Sequence, residues 1–311
     1  MSEIILHHYP QSPVAEKVRV VLGMKKLCWR SVEIPRLPPK PDLIPLTGGY
    51  RRTPVLQIGA DIYCDSQCII RELERRFPQP NLCPGNTEGL CWALSRWAGE
   101  LLFFDIVTVA LGTPKELDQT FAADRLRLYF GAEATREDLI RNVPTALAQI
   151  RTQFGWLDNT LSAEGNFLFG DLPSLADASI YFLVWFLRGR YSESNEFLQQ
   201  FVNLVDWEDR IKDLGHGEYS PMSPEDALDI AKGAKSEVVP GRLRDNDFGL
   251  SLDSTVRIAP AEDSGDPFVE GTLVSLDANT ISIRREEERV GQVVVHFPRV
   301  GSKIQLIDSI Q

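Results

Sequence analysis

The feature that most constrains the fold is the order of strand and helix patterns at the start of the chain. Residues 4–9 are a short apolar run with β-branched and aromatic side chains, which predicts a strand. Ser12 is a favourable helix cap, Pro13 suits the first helical position, and apolar residues then recur at helical spacing until Gly23. Residues 28–34 predict a second strand, so the chain opens with a right-handed parallel crossover.

The next 50 residues complete a recognisable plan. Residues 35–49 are rich in proline and predict an irregular connection with one helical turn. Residues 54–58 and 61–64 predict two strands, and Gly59-Ala60 between them suits a hairpin turn. Asp65 is then a good cap for an amphipathic helix. The order βαβ followed by ββα predicts a thioredoxin-like α/β domain over residues 1–80.

Two further domains are predicted downstream. After a linker at residues 78–89 the pattern is helical, which predicts an all-α domain over residues 86–235. Helices are expected at 90–111, 115–130, 136–161, 175–188, 195–214 and 224–234. The fourth has the clearest start, an S-x-x-D capping pair formed by Ser174 and Asp177.

After residue 240 the apolar side chains alternate, which predicts a small all-β domain over residues 240–311, barrel-like in form. Its strands are expected at 255–259, 271–276, 280–284, 292–297 and 304–307.

Charge and cysteine content exclude several classes of protein. The net charge of -11 is unsuited to nonspecific binding of phosphate backbones, so no nucleic-acid partner is expected. The five cysteines include no C-x-x-C pair, and Cys64 and Cys68 fit a strand end and a helix inner face better than a metal site. The most apolar run, residues 180–187, is too short to cross a membrane, and residue 1 leads into a strand without a signal sequence. We expect a reduced, soluble, cytoplasmic protein without a metal.

Two hydroxyl groups lie where the first strand meets the first helix. Capping is the simpler role for Ser12, but a capping hydroxyl can accept from backbone N–H groups while it directs its own hydrogen at a ligand. The positive end of the helix favours an anion, so a thiol bound there loses its proton more readily. Each unit of thiol pKa depression needs about 1.4 kcal/mol, which one charge-assisted hydrogen bond supplies. Tyr9 is the alternative hydroxyl, with packing at a strand edge as its simpler role.

The hairpin region offers three points for a peptide-like ligand. If the Thr53–Pro54 bond is cis, the Thr53 backbone N–H and C=O turn outward and can pair with a ligand as an added strand residue. Ser66 and the helix N-terminus suit a carboxylate, and Asp65 suits an ammonium group. The simpler interpretations are a proline at the start of a strand and a capped helix. A ligand with an amino-acid head, a peptide group and a thiol fits all three points.

Three motifs carry a resemblance to a known family: Ser12-Pro13-x-Ala15-x-Lys17-x-Arg19, Thr53-Pro54-Val55-Leu56 and Asp65-Ser66. They resemble the signature positions of the cytosolic glutathione transferases. The resemblance covers residues 4–235 and implies a thioredoxin-like N-terminal domain and an all-helical C-terminal domain. It also implies glutathione as co-substrate, a homodimer and a role in detoxification.

The resemblance assigns roles to individual residues. Ser12 matches the catalytic serine or cysteine of the family, which favours conjugation over thiol–disulfide chemistry. Thr53, before Pro54, matches the residue whose backbone holds the cysteinyl unit of glutathione, and Asp65 and Ser66 match the pair that binds its γ-glutamyl head.

The sequence departs from the family at three places. Aspartate replaces the commoner Glu or Gln at position 65, and its shorter arm shifts the contact with the ammonium group. The proline-rich segment leaves Lys40 and Arg52 as alternatives for the remaining glutathione contact. The β-rich segment after residue 240 lies outside the ordinary family pattern.

The resemblance also places an apolar pocket between the two family domains. Its expected lining is Tyr9, Pro10, Trp97, Leu101 and Phe104, although the last three also fit a helical core. The predicted function is a glutathione transferase that conjugates the thiolate of glutathione to a small hydrophobic electrophile. The alternatives are a non-catalytic binding or interaction protein with this fold, and a glutathione-dependent isomerase or lyase.

Overall fold

The computed structural model describes residues 2–162, 165–238, 249–262 and 265–307, and the backbone of residues 242–243. The described residues form two compact units. The first, called the sheet unit, takes its residues from 1–15, 28–73 and 218–311, and the second, called the helical unit, from 16–27 and 74–217.

The secondary structure follows the predicted order except at Glu218–Pro221, a strand within the stretch that was predicted to be all-helical. The helices are α1 (Pro13–Met24), α2 (Ile44–Thr47), α3 (Ser66–Arg76), α4 (Glu88–Trp97), α5 (Phe103–Gly112), α6 (Gln119–Phe130), α7 (Arg136–Leu161), α8 (Leu175–Arg190), α9 (Ser194–Leu198), α10 (Val202–Asp213) and α11 (Pro224–Gly233). The strands are β1 (Ile5–His8), β2 (Cys28–Glu33), β3 (Val55–Ile58), β4 (Asp61–Cys64), β5 (Glu218–Pro221), β6 (Arg242–Leu243), β7 (Thr255–Pro260), β8 (Val269–Leu276), β9 (Thr280–Glu287), β10 (Gly291–Pro298) and β11 (Ser302–Leu306). The predicted fold class is confirmed, with a thioredoxin-like start, a run of helices and additional strands at the end.

One sheet runs through the whole sheet unit, in the order β11-β7-β8-β9-β10-β4-β3-β1-β2-β5, with β6 beside β8. Strands β1 and β2 are parallel, and β3 is antiparallel to both β1 and β4. Gly59, with a φ of 61°, makes the predicted hairpin turn, because this left-handed conformation is open to glycine without steric cost.

The β-rich segment continues the N-terminal sheet. Strands β7 to β10 form an antiparallel meander, β11 returns beside β7, and β10 pairs in parallel with β4. Val295 of β10 lies opposite Ile62 of β4, and apolar side chains of both parts share one core, among them Leu46, Val55 and Phe297. The predicted domain boundaries of 1–80, 86–235 and 240–311 stay predictions.

A buried polar cluster lies at the junction of β4 and β10. The Asp61 carboxylate contacts His296 Nε2 at 3.1 Å and accepts from the Ser236 hydroxyl at 2.6 Å, while His296 Nδ1 contacts the Ser282 hydroxyl at 2.9 Å. Tyr63 stacks on the His296 ring at 4.4 Å. Burial disfavours the Asp61 carboxylate, but the contacts with His296, Ser236 and a backbone N–H outweigh it, so the Asp61 pKa lies below its usual value. The junction is therefore specified by polar pairing as well as by strand register.

The helical unit departs from the predictions at two helices. The helix predicted over 90–111 is interrupted by a π-helical turn, Ala98–Leu102, and the helix predicted over 195–214 is two helices, α9 and α10. Phe201, between those two, has non-helical dihedral angles and packs its buried ring against Phe154 and Phe197. Burial of this ring therefore outweighs continuation of the helix.

Gly23 has a different role from the predicted helix end. Helix α1 continues to Met24, and a Cβ on Gly23 would collide with the Gly215 carbonyl. The glycine therefore allows close backbone approach within the helical unit. None of the described helices is both long and apolar enough to cross a membrane.

Candidate functional site

Strand register brings the first two predicted site residues to one edge of the sheet. His7 of β1 lies opposite Val55 of the antiparallel β3. Tyr9 follows His7 by two residues and Thr53 precedes Val55 by two, so the end of β1 and the start of β3 meet at this edge.

The start of α3 lies at the same edge. Val55 also pairs with Cys64, the last residue of β4, and the chain continues directly into Asp65 and Ser66. The hairpin therefore places Thr53 beside the N-terminus of α3. The register unites all the predicted glutathione-binding residues, which are Thr53, Pro54, Asp65 and Ser66.

Thr53 lies two residues before strand β3. The Thr53–Pro54 bond is cis, as the ligand hypothesis requires. The Thr53 side chain accepts a hydrogen bond from Lys40 Nζ at 2.9 Å. Within the part of the chain that the structure describes, the Thr53 N–H and C=O form no hydrogen bond. These two groups are thus open to a peptide ligand.

Asp65 and Ser66 also have unused hydrogen-bonding capacity. Asp65 Oδ1 accepts from the Gln67 N–H at 2.8 Å, which confirms its capping role, and Asp65 has a left-handed φ of 75°. Among the described residues, neither Asp65 Oδ2 nor Ser66 Oγ has a hydrogen-bond partner. Burial raises the pKa of the nearby Tyr50 well above its usual value, and the negative charge of Asp65 adds to that shift.

Ser12 caps α1 as predicted. Its Oγ accepts from the Ala15 N–H at 3.3 Å, and its own N–H donates to the Tyr9 carbonyl at 3.1 Å. The Ser12 side chain is buried, and no described residue accepts a hydrogen bond from its hydroxyl. The proton of this hydroxyl is thus available to an acceptor that is not part of the described chain.

Two cations lie against Tyr9, the alternative hydroxyl. The Arg36 guanidinium carbon and Lys40 Nζ are each 5.9 Å from the centre of the ring, and both Tyr9 and Lys40 are buried. Of the two residues left open for the remaining glutathione contact, Lys40 is the one that reaches Thr53.

Arg52 is instead paired with Asp266, a residue that was not predicted as part of the site. Its Nε donates to Asp266 Oδ2 at 2.7 Å, and Arg51 Nε donates to Oδ1 of the same carboxylate at 2.9 Å. Asp266 lies more than two hundred residues later in the chain, and no local spacing pattern connects it with this site.

The residues predicted to contact an electrophile lie in different parts of the chain. Pro10 is exposed in the sheet unit, next to Tyr9. In the helical unit, Trp97 ends α4, Leu101 lies in the π-helical turn and Phe104 is in α5. Leu101 is 67% exposed, which excludes a core role for it, and the assignment of these residues to an electrophile pocket stays a prediction.

The described residues contain no cluster of three or more His, Cys, Asp or Glu side chains suited to a metal ion. Cys64 ends β4 and Cys68 lies on the buried face of α3, as the sequence predicted. Both are free thiols, and burial raises the pKa of each well above its usual value. All five cysteines are free.

Comparison with known proteins identifies the family. Residues 6–81 match the model of the glutathione S-transferase N-terminal domain, and residues 115–210 match that of the C-terminal domain. A GST-like protein from Pseudomonas syringae is 37% identical, with 99% of this chain and 100% of that chain covered and a TM-score of 0.79. That match therefore includes the β-rich segment.

More distant structures share the fold alone. FzlA from C. crescentus is 19% identical, with 77% of this chain and 96% of that chain covered and a TM-score of 0.51. A Tau class glutathione S-transferase from Mangifera indica is 16% identical, with coverage of 74% and 97% and a TM-score of 0.53. No curated protein matches the chain. The two domain matches and the full-length similarity show that the chain belongs to the glutathione S-transferase family.

Proposed function

We propose that the protein binds glutathione and transfers it to a small hydrophobic electrophile. The observation that carries the proposal is the set of open polar groups at one sheet edge: the Thr53 backbone, Asp65 Oδ2 and Ser66 Oγ. Buried or half-buried polar groups without a partner are unfavourable unless a ligand or water satisfies them. A ligand with matching donors and acceptors therefore gains affinity here.

Each part of glutathione has a matching group. The carboxylate of the γ-glutamyl head accepts from Ser66 Oγ and lies at the positive N-terminus of α3, while its ammonium group pairs with Asp65. The cysteinyl N–H and C=O pair with the Thr53 backbone as one added antiparallel residue. Lys40, already bonded to Thr53, supplies a positive charge for the glycyl carboxylate.

Ser12 is the proposed catalytic residue. With Oγ already accepting from the Ala15 N–H, its hydroxyl can donate to the sulfur of glutathione and stabilise the thiolate. The bound thiol releases its proton to water, the thiolate forms a C–S bond with the electrophile, and the leaving group departs with its electron pair. Rate acceleration comes from thiolate stabilisation and proximity, without a covalent intermediate on the enzyme. Tyr9 is the alternative hydroxyl for this role.

The same proposal includes a cytoplasmic homodimer with a role in detoxification, supported by membership of the family.

The test combines binding with turnover. Isothermal titration of glutathione and turnover of a chlorinated aromatic acceptor are measured for the wild type, Ser12→Ala and Tyr9→Phe. We expect Ser12→Ala to retain glutathione binding and lose roughly ten- to a hundredfold in kcat, the contribution of one charge-assisted hydrogen bond. Unchanged turnover in Ser12→Ala together with a loss in Tyr9→Phe would move the catalytic role to Tyr9.

A second candidate function is a non-catalytic binding protein. It is favoured by Ser12, which is only 2% exposed and already engaged in capping. It is also favoured by the β-rich segment, which lies outside the residues that the two family domains match. A folded protein that binds no glutathione at millimolar concentration supports this candidate. Binding with turnover of an isomerisation substrate, and none of the aromatic acceptor, supports a glutathione-dependent isomerase or lyase.

A further inference from the structure

The loop before β8 carries a carboxylate that holds the residues next to the proposed glutathione site. Both oxygens of Asp266 are used, Oδ1 by Arg51 Nε and Oδ2 by Arg52 Nε, and the Asp266 side chain is only 6% exposed. Arg51 and Arg52 directly precede Thr53. We propose that Asp266 is a positioning residue that fixes the Thr53 backbone for glutathione, an inference that rests on the proposed function.

The strength of this contact comes from burial. A carboxylate removed from water needs charged partners, and charge-assisted hydrogen bonds are about twice as strong as neutral ones. The Arg51 and Arg52 side chains are themselves only 16% and 27% exposed. The loop and the two arginines therefore hold each other in place, and Thr53 is the next residue along the chain.

Other contacts of the β-rich segment involve residues 41–48, which precede Arg51 in the chain. Arg289 donates to the Pro41 carbonyl at 2.9 Å and pairs with Asp42 at 2.7 Å. The Arg285 guanidinium lies against Gly48, where a Cβ would overlap it. The residues that precede Thr53 are thus contacted at several points by the β-rich segment.

The β-rich segment also contacts the other flank of the site. The Val300 carbonyl accepts from Gln67 Nε2 at 3.4 Å, directly after Asp65 and Ser66. On the first flank, before Thr53, Phe297 packs edge-on against Tyr50, with the ring centres 6.1 Å apart. One added segment thus contacts the chain before Thr53 and after Ser66. This arrangement indicates that the segment holds the two halves of the site at a fixed spacing.

A competing role for Asp266 predicts the opposite change in glutathione affinity. Asp266 could act as a substitute ligand, occupying Arg52 in place of a carboxylate of glutathione. Loss of the Asp266 charge would then tighten glutathione binding, whereas loss of a positioning residue weakens it. Titration therefore separates the two roles directly.

The experiment compares Asp266→Asn with Asp266→Glu and with a matched control, Asp253→Asn. Asp253 lies in the same segment and pairs with Arg284 at 3.4 Å, but it is exposed, and its left-handed φ of 64° suits asparagine. Glutathione affinity is measured by isothermal titration, and backbone amide exchange of residues 50–53 by hydrogen–deuterium exchange without ligand. Thermal unfolding checks that each variant is folded.

We expect about tenfold weaker glutathione binding in Asp266→Asn, partial recovery in Asp266→Glu and no change in Asp253→Asn. Amide exchange at residues 50–53 should be faster in Asp266→Asn than in the wild type and unchanged in Asp253→Asn. If Asp266→Asn does not fold, Arg51→Gln removes one of the two bonds and should show a smaller effect in the same direction.

Equal or tighter binding in a folded Asp266→Asn overturns the inference while the proposed function stands. A folded wild type that binds no glutathione overturns both, so the two failures are distinguishable.

Discussion

Helices α3 and α8 begin with the same residue types but use them differently. At α8, the Asp177 carboxylate is fully buried and accepts four hydrogen bonds, from Ser174 N–H and Oγ at 2.8 and 2.6 Å, Leu168 N–H at 2.9 Å and Trp207 Nε1 at 2.8 Å. At α3, Asp65 is half-buried and accepts one, at 2.8 Å.

The difference in hydrogen bonding indicates that the α8 cap serves folding and that the α3 cap can also serve binding. Asp177 is fully paired, so its contribution is to the folded state alone. Asp65 and Ser66 retain open polar atoms at a helix N-terminus, which is suited to an anionic group. Hydrogen-bond saturation, and not the residue types, therefore distinguishes a structural cap from a candidate binding site.

The largest expected effect is the loss of stability when the fully hydrogen-bonded Asp177 is replaced. Asp177→Ala leaves several buried donors unpaired, and we expect it to lower the free energy of unfolding by about 3–5 kcal/mol. The matched control is Asp138→Ala in the exposed capping box that Asp138 forms with Thr135 at α7, where about 1 kcal/mol is expected. Urea unfolding followed by circular dichroism measures both. Equal losses would show that saturation and burial do not set the size of the effect.

A second buried group, His7, predicts that stability depends on pH. His7 is buried and bonds to Gln57 at 2.8 Å; burial lowers its pKa from 6.5 to about 4, and the hydrogen bond opposes that shift only partly. Because the unfolded chain binds the proton more readily, the stabilisation is complete above pH 6.5 and is lost as the pH falls from 6.5 towards 4. The free energy of unfolding should fall by about 3 kcal/mol over this pH range.

His7→Asn keeps a hydrogen-bonding side chain without a proton to gain in this range. Urea unfolding at several pH values should therefore give a flatter profile for the variant between pH 6.5 and 4. If the free energy of unfolding changed with pH equally in the wild type and in His7→Asn, His7 would be ruled out as the source of the pH dependence.

At α3, where Ser66 Oγ has no partner among the described residues, a substitution should affect glutathione binding and have little effect on stability. Ser66→Ala should weaken glutathione binding by about ten- to a hundredfold and change the free energy of unfolding by less than about 1 kcal/mol. Ser223→Ala is the matched control, because Ser223 Oγ accepts from the Asp226 N–H to cap α11. It should lower stability by about 1 kcal/mol and leave binding intact. A stability loss in Ser66→Ala as large as in Ser223→Ala would break the distinction.

Local features of the fold and of the site were predictable from the sequence. The Asp65 cap, the Gly59 turn and the Ser174–Asp177 pair each depend on residues within a few positions of one another, so spacing alone indicates them. The sequence could not decide whether Lys40 or Arg52 makes the remaining glutathione contact, because that depends on how the proline-rich segment folds back to Thr53.

Contacts distant in sequence could not be predicted. The pairing of β10 with β4 and the Asp266 contacts join residues more than two hundred positions apart, and alternation within a strand does not specify which edge it joins. The π-helical turn at 98–102 was missed for a related reason, since apolar spacing does not mark where one extra residue is accommodated.

Isothermal titration of glutathione into the wild-type protein tests the central claim most directly. If the open groups of Thr53, Asp65 and Ser66 form a glutathione site, the titration gives saturable binding of one glutathione per chain, with a Kd on the order of 1 mM or tighter. A protein that unfolds cooperatively, and is therefore folded, but gives no binding heat at several millimolar glutathione would contradict the account.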